Sequence, residues 1–145
     1  KDNYPFQLPL HAAFHTPLLE SISRKAFGLL PKSIFQKPLV PLVDGRGHIW
    51  SPFSTETEEL YNYTLGHQVT NAYDFSTSIT VSMKEFCPDK LVLLGPGNSL
   101  GGAIGQIMIN NNWLDINSKK AFSSRQKKDL YLISMGMKDQ RELVC

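Results

Sequence analysis

Short apolar runs and amphipathic stretches alternate along the chain. "FQLPLHAAF" (6–14) is apolar with little alternation and predicts a buried strand. In the stretch that follows, "HTPLLESISRKAFGLL", Thr16 can cap a helix and Pro17 suits its first turn. Leu18, Leu19, Ile22, Ala26 and Leu29 then form an apolar stripe. Pro31 and Pro38 bracket a loop, and "LVPLVDGRGHIW" predicts two short strands around the Asp44-Gly45 turn. Ser54 or Thr55 with acidic residues behind it predicts a helix over about 55–65, followed by the loop "GHQVTNAYDF". Phe75, Ile79, Met83 and Phe86 recur at helical spacing until Pro88. "KLVLL" is a buried strand, "GPGNS" a tight loop and "LGGAIGQIMINN" a helix with a small-residue face. A basic stretch, a strand in "YLISMGM" and a helix in "KDQRELV" complete the chain. Strand and helix in alternation predict an α/β layer architecture with mostly parallel strands.

Composition narrows the class of protein without choosing a function. The 145 residues suffice for one domain or a large piece of one. With 41% apolar and 19% charged residues the balance is that of a folded globular chain. A net charge of +2 gives no argument for nucleic acid or an anionic membrane, and no apolar run reaches the 18 or so residues of a membrane span. Cys87 and Cys145 fit a reducing compartment better than a disulfide scaffold, so the expectation is a soluble, cytoplasmic protein. "KDNYPFQLPL" has neither an initiator methionine nor a signal pattern, and reads as a position inside a longer protein.

Three features carry candidate chemistry. Gly97-Asn98-Ser99-Leu100-Gly101 spells G-x-S-x-G, the elbow that presents a nucleophilic serine. Gly95-Pro96 separates the strand from Gly97 and relaxes the turn, so Ser99 reads better as a helix cap than as a nucleophile. The same loop lacks the third glycine of a dinucleotide fingerprint and the lysine of a P-loop. Of His11, His15, His48 and His67, the first two share i, i+4 spacing. On a strand that separation is roughly 13 Å, too far for one metal. His15 lies where a strand gives way to a helix, a place from which α/β proteins present catalytic groups, although a structural histidine fits as well. The basic run "KKAFSSRQKK" (119–128) is either a solvated helix face or a surface for an acidic partner.

Taken together, three separated segments spell a family. "LPLHAAFHTPLL" resembles the active-site histidine segment of malonyl-CoA:acyl carrier protein transacylases and of polyketide synthase acyltransferase domains. "LGHQVTNAYDFSTSI" is similar to the family's glutamine segment, with Gln68, Asn71, Phe75, Ser78 and Ile79 at matching positions. "DKLVLLGPGNSLGGAIGQI" is similar to its late strand, Gly-Pro-Gly loop and helix. Ala72 stands where the family has proline, and Phe75 where tryptophan is common. The resemblance covers most of the chain and implies the C-terminal part of an α/β-hydrolase-like acyltransferase. Residues 1–14 would supply the last strand of a small ferredoxin-like subdomain and the return into the large one, and residues 15–145 the C-terminal part of the large subdomain.

The resemblance also implies a reaction. A malonyl group passes from coenzyme A to the phosphopantetheine thiol of an acyl carrier protein through an acyl-serine. The thioester is a substrate, so no cofactor or metal is expected. The serine elbow of the family lies upstream of its histidine, in an N-terminal half absent from this chain, which makes Ser99 a decoy. His15 would be the catalytic base, and a backbone carbonyl around Gln68 would hold its imidazole. Phe14, Gln68 and Asn71 would line the substrate pocket, Phe14 favouring malonyl over branched acyl groups. The implied partners are malonyl-CoA, the carrier protein and that N-terminal half, with neither nucleic acid nor membrane. Two competing expectations remain: a hydrolase-like fragment using Ser99 with His15 or His67 as base, and a non-catalytic module binding through Lys119, Lys120, Arg125, Lys127 and Lys128.

Overall fold

The computed structural model describes residues 12–144. The protein is mixed α/β, with 53% helix and two small sheets, so helix packing carries most of the cores. The chain divides into two units. One takes residues up to Gly45 together with Ile49–Tyr73, and the other takes Arg46–His48 and everything from Asp74 onward.

In the first unit a single 3-10 turn, Pro17–Leu19, leads into helix α1, Glu20–Leu29. The residues buried in α1 differ from the expected stripe. Leu18, Ile22 and Leu29 are 79%, 54% and 68% exposed, whereas Ser23 is buried and its hydroxyl donates to the Leu65 carbonyl at 2.6 Å. A polar residue therefore faces the unit's interior because a backbone acceptor is waiting for it. Strands β1, Leu42–Val43, and β2, Ile49–Trp50, pair antiparallel around the Asp44-Gly45 turn. Asp44 is itself buried and accepts from the Trp50 indole N–H at 3.2 Å. Trp50, Leu60 and Tyr63 form the core here, with Phe35 against them.

Helix α2, Thr57–Asn62, starts later than the expected Ser54 or Thr55 cap. Its N-cap is Glu56, which makes no side-chain capping bond, and Thr55 is buried one residue earlier. The helix does not stop near 65. It widens into a π-helical turn, Tyr63–His67, and continues as α3, Gln68–Thr70. The expected loop is thus confined to residues 71–74. Phe27 packs edge-on against Tyr61, whose hydroxyl donates to the Leu30 carbonyl and ties α1 to α2.

In the second unit Asp74 caps helix α4, Phe75–Phe86, accepting from the Thr77 N–H. Cys87 ends it in the left-handed conformation just before Pro88. Strand β3, Leu91–Leu93, leads through the Gly-Pro-Gly loop to α5, Leu100–Asn110. Helix α6, Lys119–Lys128, is capped by Ser118. It is followed by β4, Leu132–Ser134, and by the four-residue α7, Lys138–Arg141. The crossover through α5 and α6 makes β4 parallel to β3, with Leu91 opposite Leu132. Met83, Ile104, Ile107, Met108, Ile116, Tyr131 and Leu132 are the core of this unit. Among the described residues parallel pairing is thus confined to β3 and β4, since β1 and β2 run antiparallel. Residues 12–14 form no strand, and the rest of the expected strand at 6–14 lies outside the described residues.

Candidate functional site

His15 sits in the left-handed region at φ 58°. A side chain with a Cβ gives up about 1–2 kcal/mol there, so its neighbours must impose the conformation. They do so on its C-terminal side. Pro17 forces Thr16 into extended backbone, φ −137° and ψ 156°, and the Thr16 hydroxyl donates back across His15 to the Ala13 carbonyl at 2.8 Å. Thr16 therefore closes the turn around the histidine instead of capping a helix with its side chain.

The imidazole is met by the end of α3. Because the helix stops at Thr70, its last carbonyls have no partner along the helix. Asn71 makes the last helical bond, its backbone N–H donating to the His67 carbonyl at 2.9 Å, and its side-chain amide adds a second bond to the same oxygen at 3.2 Å. The Thr70 hydroxyl takes that of Gly66 at 3.1 Å. The Gln68 carbonyl is taken by His15, whose Nδ1 lies 2.6 Å away. A carbonyl can only accept, so Nδ1 carries the hydrogen, and in the neutral ring the lone pair is then on Nε2. An imidazole held in that tautomer is a base at Nε2 without a carboxylate behind it.

Tyr73 completes the surroundings of the ring. Its own ring lies 5.4 Å from the imidazole, centroid to centroid, with the planes tilted by 42°. On its other side Tyr73 lies on Gly45, where a Cβ would come within 2.5 Å of the tyrosine Cδ2. The Gly45 N–H donates to the Tyr63 hydroxyl at 3.1 Å, which anchors the turn to the unit's core. A cavity of about 140 Å³ opens beside this cluster, lined among others by Asp44, Trp50, Tyr63, Gln68 and Tyr73.

The structure thus brings His15 and Gln68 together, the first through its ring and the second through its backbone, and Gln68 is among the residues lining the cavity. Asn71 is exposed and its amide finishes the helix end. Phe14 precedes His15 in the same turn and is 59% exposed. His67 stacks on Tyr63. Ser99 is exposed in ordinary helical backbone, φ −59° and ψ −30°, and makes no side-chain capping bond. It therefore has neither the strain of an elbow serine nor the capping bond expected of it. The basic run forms α6, none of whose residues is buried. Among the described residues no group of three His, Cys, Asp or Glu could hold a metal ion, and no helix is long and apolar enough to cross a membrane. His11 and Cys145 lie outside the described residues.

Tyr73 and Gly45 are the site residues that sequence reasoning passes over. The Asp-Gly pair announces a turn, but no local signal says that a ring will lie on the glycine. No family model, curated protein or solved structure matches the chain.

Proposed function

We propose that this chain is the base-bearing part of an acyltransferase of the malonyl-CoA:acyl carrier protein transacylase type. In that reading it forms the C-terminal portion of an α/β-hydrolase-like large subdomain in a cytoplasmic enzyme. The observation that carries the reading is the Nδ1 contact of a left-handed His15 with the Gln68 carbonyl. Backbone strain that is held in place by several neighbours is a mark of functional sites. Here the strained residue is also a histidine with one nitrogen committed and the other basic.

The chemistry follows from that tautomer. A serine hydroxyl contributed from outside this chain attacks the thioester carbonyl as Nε2 of His15 takes its proton. The tetrahedral oxyanion collapses, the C–S bond breaks, and the imidazolium returns the proton to the departing coenzyme A thiolate. In the second half His15 takes the proton of the carrier protein's phosphopantetheine thiol, which attacks the acyl-serine. The proton then goes back to the serine oxygen as the C–O bond breaks. The Gln68 carbonyl orients the ring and faces the positive charge that forms on it, the task a carboxylate performs in a triad. Phe14 and the Gln68 side chain would border the acyl group, with Asn71 holding the segment that presents Gln68.

The test is a denaturing intact-mass spectrum after brief exposure to malonyl-CoA, taken on this chain alone and with the polypeptide carrying the elbow serine. The expected result is that the other polypeptide gains the malonyl group and that His15→Ala prevents it. Acylation of the 145-residue chain itself would overturn the assignment and return Ser99 to consideration.

A further inference from the structure

Resting on the reading of His15 as the base, we propose that Tyr73 is a positioning residue for that base, and that Gly45 sets where Tyr73 stands. The bond from Nδ1 to the Gln68 oxygen is made in one setting of the two side-chain torsions of His15, and rotation to another setting breaks it. The Tyr73 ring, its centroid 5.4 Å from that of the imidazole, stands against such a rotation. Tyr73 can stand there because residue 45 has no side chain. A Cβ at Gly45 would meet Cδ2, Cγ and Cε2 of the tyrosine at 2.5, 2.7 and 2.9 Å. Those atoms include the root of the ring, which cannot step aside by a small rotation.

The turn itself is held from behind. The Gly45 N–H is bonded to the Tyr63 hydroxyl, and the preceding Asp44 accepts from Trp50 in the same core. The series Tyr63, Gly45, Tyr73, His15 thus couples the orientation of the imidazole to the buried core of its own unit. A protein that must offer the same lone pair first to an alcohol and then to a thiol gains from a ring that cannot turn.

The tautomer and orientation of His15 are read by nitrogen-15 NMR of the imidazole in the intact 145-residue chain, with far-UV circular dichroism to confirm folding. Wild type is expected to show the Nδ1–H form. Tyr73→Phe should keep it, because the ring remains. Tyr73→Ala and Gly45→Ala should each shift His15 toward the Nε2–H form that unrestrained histidine side chains favour. Should Tyr73→Ala unfold, Tyr73→Leu keeps apolar volume without a flat ring and is expected to show the same shift. Retention of the Nδ1–H form in the folded Ala or Leu variant would overturn the proposal. So would an equal loss in Tyr73→Phe, which would make the hydroxyl and not the ring responsible. The readout needs no turnover. Failure of the transferase reading would appear instead in the acylation experiment, with the tautomer result standing apart from it.

Discussion

At the scale of the residue, the tension at position 15 is between backbone and side chain. The backbone there prefers asparagine or glycine, and the side chain is a histidine whose Nδ1 is held by a distant carbonyl. The two demands can be separated by substitution. Asparagine tolerates left-handed backbone and has a short amide, whereas valine is branched at Cβ and does not. His15→Val is expected to be less stable than His15→Asn by about 1–2 kcal/mol in urea denaturation. In the proposed transferase reading both should lose roughly 10²–10⁴-fold in acyl transfer with the elbow-bearing polypeptide, since neither can shuttle the proton. Equal stabilities would mean that the turn of residues 13–16 relaxes at no cost. The histidine was legible in the sequence from its place before Thr-Pro. Its partner, a backbone carbonyl around Gln68, was expected from the family resemblance alone, because every residue has a carbonyl and nothing local in the sequence says which one a ring will meet.

At the scale of the element, the helices depart from the periodicity expected of them, and each departure has a local cause. The stretch from Thr57 to Thr70 contains Gly66, and the polar residues from Gly66 on read as a loop. The π-helical turn instead keeps the chain helical for another turn, and so delivers the Gln68 carbonyl to His15. The long α4 was legible from Phe75, Ile79 and Met83, and its Asp74 cap has a measurable pH signature. The Asp74 carboxylate accepts from the Thr77 N–H at 2.9 Å and the Thr77 hydroxyl at 2.7 Å. These bonds hold its pKa below the ordinary 3.8. A carboxyl lowered in the folded state contributes stability above its unfolded value, and that contribution is lost as the pH falls through the folded value. Asp74→Ala is therefore expected to melt below wild type at pH 7, the difference narrowing as the pH drops beneath 3.8. A gap that persists at acid pH would assign the effect to something other than the ionised cap.

At the scale of the whole molecule, the apolar positions divide unevenly between cores and surface. Met83 and Met108 are completely buried in the second unit, as a closed core requires, yet Leu18, Ile22 and Leu29 of the apolar stripe are exposed while Leu19 and Ala26 are half-buried. Phe14, Leu18, Ile22 and Leu29 lie close in sequence, are all more than half exposed, and run from the His15 turn along the helix behind it. The stripe itself was legible. Which way it faces was not, since an apolar stripe can turn to the core of its own chain or mark a face that another polypeptide covers. In the proposed transferase reading that polypeptide would be the half bearing the nucleophile. The double variant Leu18→Lys, Ile22→Lys is thus expected to keep its helix content and melting temperature, since neither side chain is buried. It should sediment as a smaller species than wild type wherever the exposed face drives self-association. Mixed with the elbow-bearing polypeptide, it should recover far less acyl transfer than wild type, through a weaker dissociation constant and without a change in the turnover of the assembled pair. Loss of turnover at saturating partner would mean instead that the face shapes the site directly. Unchanged recovery would mean that the second half docks elsewhere.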